Sequence, residues 1–197
     1  MNYQKIKRGL DLLFATILLV IFSPLFLIIS ILILVDSKRP VFFLQDRIGK
    51  DGKVFKMIKF RSMVVGAEKG GVYEFKNDKR ITKVGKFLRK TSLDELPQLI
   101  NIIKGEMSFI GPRPVLTYHP WKFEEYPQEK KKRFLVRPGI TGLAQINGRK
   151  AVDWNKRIEY DIEYINKLSF FLDLKILIKT FLNVILMKDN ENIEKTS

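Results

Sequence analysis

The chain has 197 residues, 46% hydrophobic and 12% aromatic, enough for one folded unit and too apolar for global disorder. It has no cysteine, which excludes disulfides, zinc–thiolate centres, iron–sulfur clusters and cysteine nucleophiles and fits a reducing compartment; a single histidine, His119, excludes multi-histidine metal sites and leaves carboxylates as the better candidates for chemistry. Thirty-six Lys and Arg against 21 Asp and Glu give a formal charge of +15, which calls for an anionic partner: nucleic acid, lipid headgroups or phosphorylated substrates.

From Leu12 to Val35 the chain runs 24 residues without a charge, about 36 Å of helix against a hydrocarbon core of ~30 Å. The flanks are not those of a cleaved signal peptide. Pro24 removes the backbone hydrogen bond to the Val20 carbonyl, so Ser23-Pro24 predicts a kink at mid-segment. A kinked spanning helix is one reading. Basic residues on both flanks, Lys5, Lys7 and Arg8 before and Lys38, Arg39, Arg47, Lys50 and others after, pull both ends to the cytoplasm. That favours a re-entrant helix-break-helix with arms of roughly 18 Å each.

Beyond Pro40, residues 41–45 and 54–60 alternate as two short strands, with Gly49-Lys50-Asp51-Gly52 as the hairpin turn. Residues 64–80 carry no steady period and read as a mobile loop. Residues 84–89 and 93–103 read as helices, the second closed by Gly105. Residues 120–134 are helical in part, Asn147-Gly148 is foremost a hairpin-turn signal, and 154–166 resumes a helix. Residues 170–185 form an amphipathic helix whose apolar half suits either the core or the membrane interface. The fold class is therefore α+β and mainly helical, with a membrane segment at 1–36, a folded domain at 37–187 and a polar tail at 188–197.

Asp94-Glu95 is the candidate carboxylate pair. Ser92 with Glu95 is also a capping box, so a purely structural role stands beside a catalytic one. In the catalytic reading Asp94 is a carboxylate nucleophile at a helix N-terminus, and Glu95 helps hold a hard cation such as Mg2+. Lys59, Arg61, Arg89, Arg113, Arg137 and Arg149 are candidate phosphate ligands, because a guanidinium donates two bonds to phosphate oxygens at once. No phosphate-loop or Gly-x-Gly-x-x-Gly signature is present.

Arg8 with Asp11, Ser23-Pro24, Lys59-Phe60-Arg61-Ser62-Met63, Ser92-Leu93-Asp94-Glu95-Leu96-Pro97-Gln98-Leu99, Gly105-Glu106-Met107-Ser108, Gly111-Pro112-Arg113-Pro114, Arg137-Pro138-Gly139-Ile140-Thr141-Gly142 and Asn147-Gly148-Arg149 occur in that order. In these segments the chain resembles the bacterial sugar transferases, specifically the small monotopic polyprenyl-phosphate phosphoglycosyl transferases, over residues 1–187. Glu106 is a departure, since the family more often has Asp there. Larger members carry additional N-terminal membrane helices, and the resemblance implies the minimal catalytic form.

The resemblance implies transfer of a sugar 1-phosphate from a UDP-sugar to undecaprenyl phosphate, with release of UMP. It implies Asp94 as nucleophile, Glu95 and Asp94 at Mg2+, the basic residues at phosphates, and a re-entrant break at Ser23 and Pro24. Lys7 and Arg8 are expected at lipid headgroups. The expected location is the cytoplasmic face of the bacterial inner membrane, with membrane lipid and not nucleic acid as partner, and with pairing of two copies left open. Two rival readings remain: a non-catalytic adaptor for anionic lipid or nucleic acid, and an enzyme that transfers the sugar alone and releases UDP.

Overall fold

The computed structural model describes residues 3–71, 78–147 and 153–186. The chain opens with α1 (Tyr3–Ile21) and α2 (Ser23–Ser37), bent by 60° at Phe22. Pro24 cannot donate to Val20, and Ser23 Oγ donates to that carbonyl at 2.8 Å instead, as the kink requires. Neither helix alone is long and apolar enough to cross a membrane.

Both ends of the bent pair are docked to the body of the protein. α1 packs on α4 (Gln98–Lys104), and Ala15 joins a core of Phe55, Met57, Leu99, Ile102 and Met107. Ile29 and Ile33 of α2 pack with Phe60 and Leu88. The apex between these contacts is apolar and open: Val20 is 68% exposed, and Ile21, Leu27 and Ile28 are exposed around it.

The expected hairpin forms from β1 (Phe42–Ile48) and β2 (Val54–Phe60), with Phe42 opposite Phe60 and Ile48 opposite Val54. Two features lay outside the sequence reading. β4 (Val115–Leu116) adds to β1, and β3 (Ser108–Ile110) pairs in parallel with β5 (Gly139–Thr141). Strands this short lack the alternation from which a sequence signal could be read. Gly139 is obligatory in the second pair, because a Cβ there would stand 2.1 Å from the Gly111 nitrogen.

α3 (Lys83–Thr91) carries the predicted 84–89 helix, and Asp36 at the end of α2 accepts from the Val84 nitrogen at its N-terminus. The 93–103 helix is interrupted: Leu93–Glu95 is a 3-10 turn, and α4 starts only at Gln98 and ends at Gly105, whose φ of 87° suits glycine. Of the expected loop at 64–80, residues 67–70 form a 3-10 turn held by Arg80, which donates to the Ala67 carbonyl; residues 72–77 lie outside the described part.

The 120–134 segment is helical in part, as expected, with short turns at 123–125 and 132–135 around α5 (Gln128–Lys131). α6 (Leu143–Ile146) runs directly into Asn147, whose φ of −111° does not fit a type I′ hairpin turn. α7 (Trp154–Asn166) and α8 (Phe170–Ile185) match their predicted bounds, while the tail at 188–197 is outside the described residues.

α8 is mounted the opposite way from an ordinary amphipathic helix. Asp173 and Ile176 are buried and Thr180 is half-buried, whereas Phe170, Phe171, Leu174, Leu177, Ile178, Phe181 and Leu182 are exposed. Asp173 accepts from Tyr3 at 2.6 Å and Tyr164 at 2.8 Å and pairs with Lys7 at 2.9 Å. Thr180 shares a hydrogen bond with Thr141. α1 follows the same pattern, with Asp11 buried and Leu13, Phe14 and Ile17 outside. The buried sides of α1 and α8 therefore combine polar contacts with Ala15 and Ile176, while most of their large apolar side chains face outward.

Candidate active site

Asp94 sits where α3 gives way to α4. Ser92 adopts a left-handed conformation, φ 59°, which ends α3 and throws the chain into the 93–95 turn. Leu93 and Leu96 pack against the Phe60–Leu88 cluster, so the turn is pinned from beneath. Asp94 is left 8% exposed.

The capping box does not form: the Ser92 side chain caps nothing, and Glu95 Oε1 accepts from Lys59 Nζ at 2.6 Å and lies 3.5 Å from Arg113 Nη2. Two cations offer Glu95 more than a backbone amide would. Lys59 Nζ stands 3.9 Å from Asp94 Oδ2, beyond hydrogen-bond reach.

The two carboxylates are driven apart electrostatically. Burial raises Asp94, and neighbouring Glu95 adds to the rise while Lys59, Arg89 and Arg113 oppose it. Burial also acts to raise Glu95, but Lys59 and Arg113 outweigh it and hold that carboxyl at about 2. The site thus pairs an ionised Glu95 with a desolvated Asp94 that lies outside hydrogen-bond reach of Lys59.

Of the predicted basic residues, Lys59, Arg89 and Arg113 act on the carboxylate pair. Arg61 does not: its Nη2 donates to the carbonyls of Ser37 and Lys38 and to Ser37 Oγ, closing the C-terminus of α2. Arg137 donates to the Gly105 carbonyl at 2.8 Å, and Arg8 to those of Ile102 and Ile103. These two arginines finish the C-terminus of α4, where orphan carbonyls and the negative end of the helix dipole attract cations.

Lys7, expected at headgroups, is instead spent on Asp173. Arg8, also expected at headgroups, donates to the α4 carbonyls. Arg149 lies outside the described residues. Glu106 accepts from Asn101, which also bonds the Ile58 nitrogen and the Lys56 carbonyl; it orients the side chain that sews α4 to β2.

Arg47 is the residue the sequence reading missed, having counted it only as a flanking charge. It interacts electrostatically with both Glu95 and Arg113, and burial, with Arg113 adding to it, lowers its pKa to about 10. Its signal lay in the β1 alternation, which turns Phe43, Gln45 and Arg47 to the less exposed side. Arg47, Lys59, Arg89 and Arg113 face two carboxylates, so the site carries an excess of positive charge fit for a phosphorylated ligand.

Among the described residues no group of three or more acidic or histidine side chains could enclose a metal. Mg2+ does not need one: it binds through one or two carboxylates and takes its remaining ligands from water and substrate phosphates. Asp94 and Glu95, adjacent on one turn, fit that donor set.

The structure thus carries an apolar bent pair and an outward-facing apolar side of α8 on the same body as a carboxylate pair ringed by cations. The sequence model of the bacterial sugar transferase family matches residues 2–187, and the chain belongs to that family. It is 48% identical over 88% of its length to a UDP-glucose:undecaprenyl-phosphate glucose-1-phosphate transferase of Klebsiella pneumoniae, and 45% identical over 89% to the protein of the same name in Escherichia coli (strain K12). The chain spans 39% of the length of each of those relatives. It is 42% identical over 98% of its length to an uncharacterized sugar transferase, EpsL, of Bacillus subtilis (strain 168), and covers 92% of that protein.

Proposed function

We propose that the protein transfers a sugar 1-phosphate from a UDP-sugar to undecaprenyl phosphate at the cytoplasmic face of a bacterial inner membrane, releasing UMP. The observation that carries this reading is Asp94: a buried carboxylate outside hydrogen-bond reach of Lys59, beside an ionised Glu95 and within a ring of cations. The names of the relatives that share most of this chain support the choice of substrates.

In the first step an Asp94 oxygen bonds the sugar-bearing phosphorus, the phosphoanhydride bond breaks, and UMP leaves with the electron pair. An oxygen of undecaprenyl phosphate then attacks the same phosphorus. The acyl-phosphate bond of the aspartyl-phosphosugar breaks, Asp94 is regenerated, and the lipid diphosphate sugar departs. Lys59, Arg89 and Arg113 oppose the rise that burial gives the Asp94 carboxyl and neutralise phosphate oxygens as charge moves between them. Mg2+ bound at Asp94 and Glu95 would supply further neutralisation of the diphosphate.

The lipid substrate explains the inside-out helices. With both ends of the α1–α2 pair docked on one body and the apex apolar and open, a re-entrant insertion into one leaflet accommodates the segment without moving a basic flank across the bilayer. α8 would lie in the headgroup region with its phenylalanines toward the acyl chains.

The test is nucleotide release by detergent-purified protein with Mg2+, a panel of UDP-sugars and undecaprenyl phosphate, native chain against Asp94→Asn. UMP from the native chain alone, with lipid-dependent turnover, supports the proposal. UDP would identify simple glycosyl transfer, and no nucleotide from folded protein would favour the adaptor.

A further inference from the structure

Arg113 reaches the carboxylate pair from the turn Gly111-Pro112-Arg113-Pro114, and its side chain is 50% exposed. Such a side chain has rotamer freedom to lose on binding an anion, so its value depends on how firmly its backbone is held. Two of the four turn residues are prolines, which offer no N–H. The turn can be anchored chiefly through its carbonyls.

Three consecutive carbonyls are anchored, each by a different part of the chain. The Pro112 carbonyl accepts from the Gly139 nitrogen of β5 at 2.9 Å. The Arg113 carbonyl accepts from Arg133 Nη2 at 3.0 Å, and the Pro114 carbonyl from Arg47 Nη1 at 3.1 Å. Both guanidiniums are themselves fixed. Arg133 is paired with Asp161 at 2.7 Å, each side chain 2% exposed, and Arg47 Nη2 donates to Gln45 Oε1.

A neutral donor would satisfy the Pro114 carbonyl equally well. Arg47 instead places a desolvated cation beside Arg113, which costs free energy unless negative charge is near. Glu95 supplies part of that charge, and a bound diphosphate would supply the rest.

We infer that Arg47 is a positioning residue: braced by Gln45 and working with the Arg133–Asp161 pair, it holds the Pro112–Pro114 carbonyls so that the Arg113 guanidinium is aimed at the diphosphate of the nucleotide sugar. The inference rests on the proposed transfer reaction. It assigns Arg47 an effect that passes through Arg113, not a contact with substrate.

The experiment is a double-mutant cycle on UMP release, with KM for the UDP-sugar and kcat measured separately. Arg47→Lys keeps the charge and loses the planar fork; it should lower kcat/KM about tenfold in the native background, mainly through KM, and less than about twofold in Arg113→Ala. Gln45→Leu, which leaves Arg47 in place but unbraced, should follow the same pattern with a smaller loss, and it carries the test if Arg47→Lys does not fold. Equal losses in the two backgrounds, or no loss in the native one, overturn the inference while leaving the reaction intact. A native chain that releases no UMP overturns the functional reading and the inference with it.

Discussion

Ser23 Oγ donates to the Val20 carbonyl at 2.8 Å, occupying the acceptor that Pro24 leaves without its helical N–H. The bend is thus chemically complete at an exposed apolar apex.

Pro24→Ala should restore the missing bond, straighten the 60° bend and favour a spanning helix. Because the chain has no cysteine, Lys5→Cys and Arg39→Cys can each be probed cleanly with an impermeant maleimide. In the native chain both positions should label from the cytoplasmic side; with Pro24→Ala, position 5 should become reachable from the other. Ser23→Ala alone should cost ~1–2 kcal/mol by leaving Val20 unsatisfied.

Lys59→Met should move the pH dependence of the reaction. Lys59 is the largest force lowering Asp94 against its burial, so its loss raises that carboxyl further. Attack needs the ionised form, so the acid limb of kcat/KM should shift to higher pH, with at least about a tenfold loss at neutral pH partly recovered on raising it. An acid limb that stays in place would separate Asp94 from the rate.

Asp161 gives a stability signature. Burial pushes its carboxyl up to about 6, although Arg133 opposes the shift, against ~3.9 in an unfolded chain. A raised folded pKa means that its contribution is fully present below about 4 and is lost as pH rises through about 6. Denaturant unfolding in detergent should show stability falling over that window, and Asp161→Asn should flatten the slope.

The two sides of α8 should respond differently. Ile176, 0% exposed, packs with Ile110, Leu143, Ile146 and Tyr164, and Ile176→Ala should cost ~2–4 kcal/mol of stability. Phe171, 79% exposed, should be replaceable by Ser within ~0.5 kcal/mol in detergent. The same change should weaken binding to phospholipid vesicles by roughly tenfold or more. Equal vesicle binding by the two proteins would remove α8 from the membrane interface.

Much of the fold was legible because its causes are local. α7 and α8 follow from period, the β1–β2 hairpin from alternation and a glycine turn, and the Ser23-Pro24 break from a missing N–H. The 93–103 helix is split because Pro97 has no N–H to give the Leu93 carbonyl, which accepts from Leu96 instead, while Lys59, far away in sequence, takes Glu95 from the capping box. The β3–β5 pair was invisible because three-residue strands carry no alternation.

The carboxylate pair could be found in the sequence, but its surroundings could not. Arg61, Arg137 and Arg8 looked like anion ligands, yet they close the C-termini of α2 and α4. Arg47 looked like a flanking charge, yet it stands beside Glu95 and Arg113. The family and the helix break were determined by the sequence alone, since motif order and backbone chemistry are properties of neighbouring residues. Which cations reach Asp94, and which face of α8 is buried, was decided only by the tertiary structure: a guanidinium is attracted alike to phosphate, carboxylate and orphan carbonyl, and the fold determines which of them it meets.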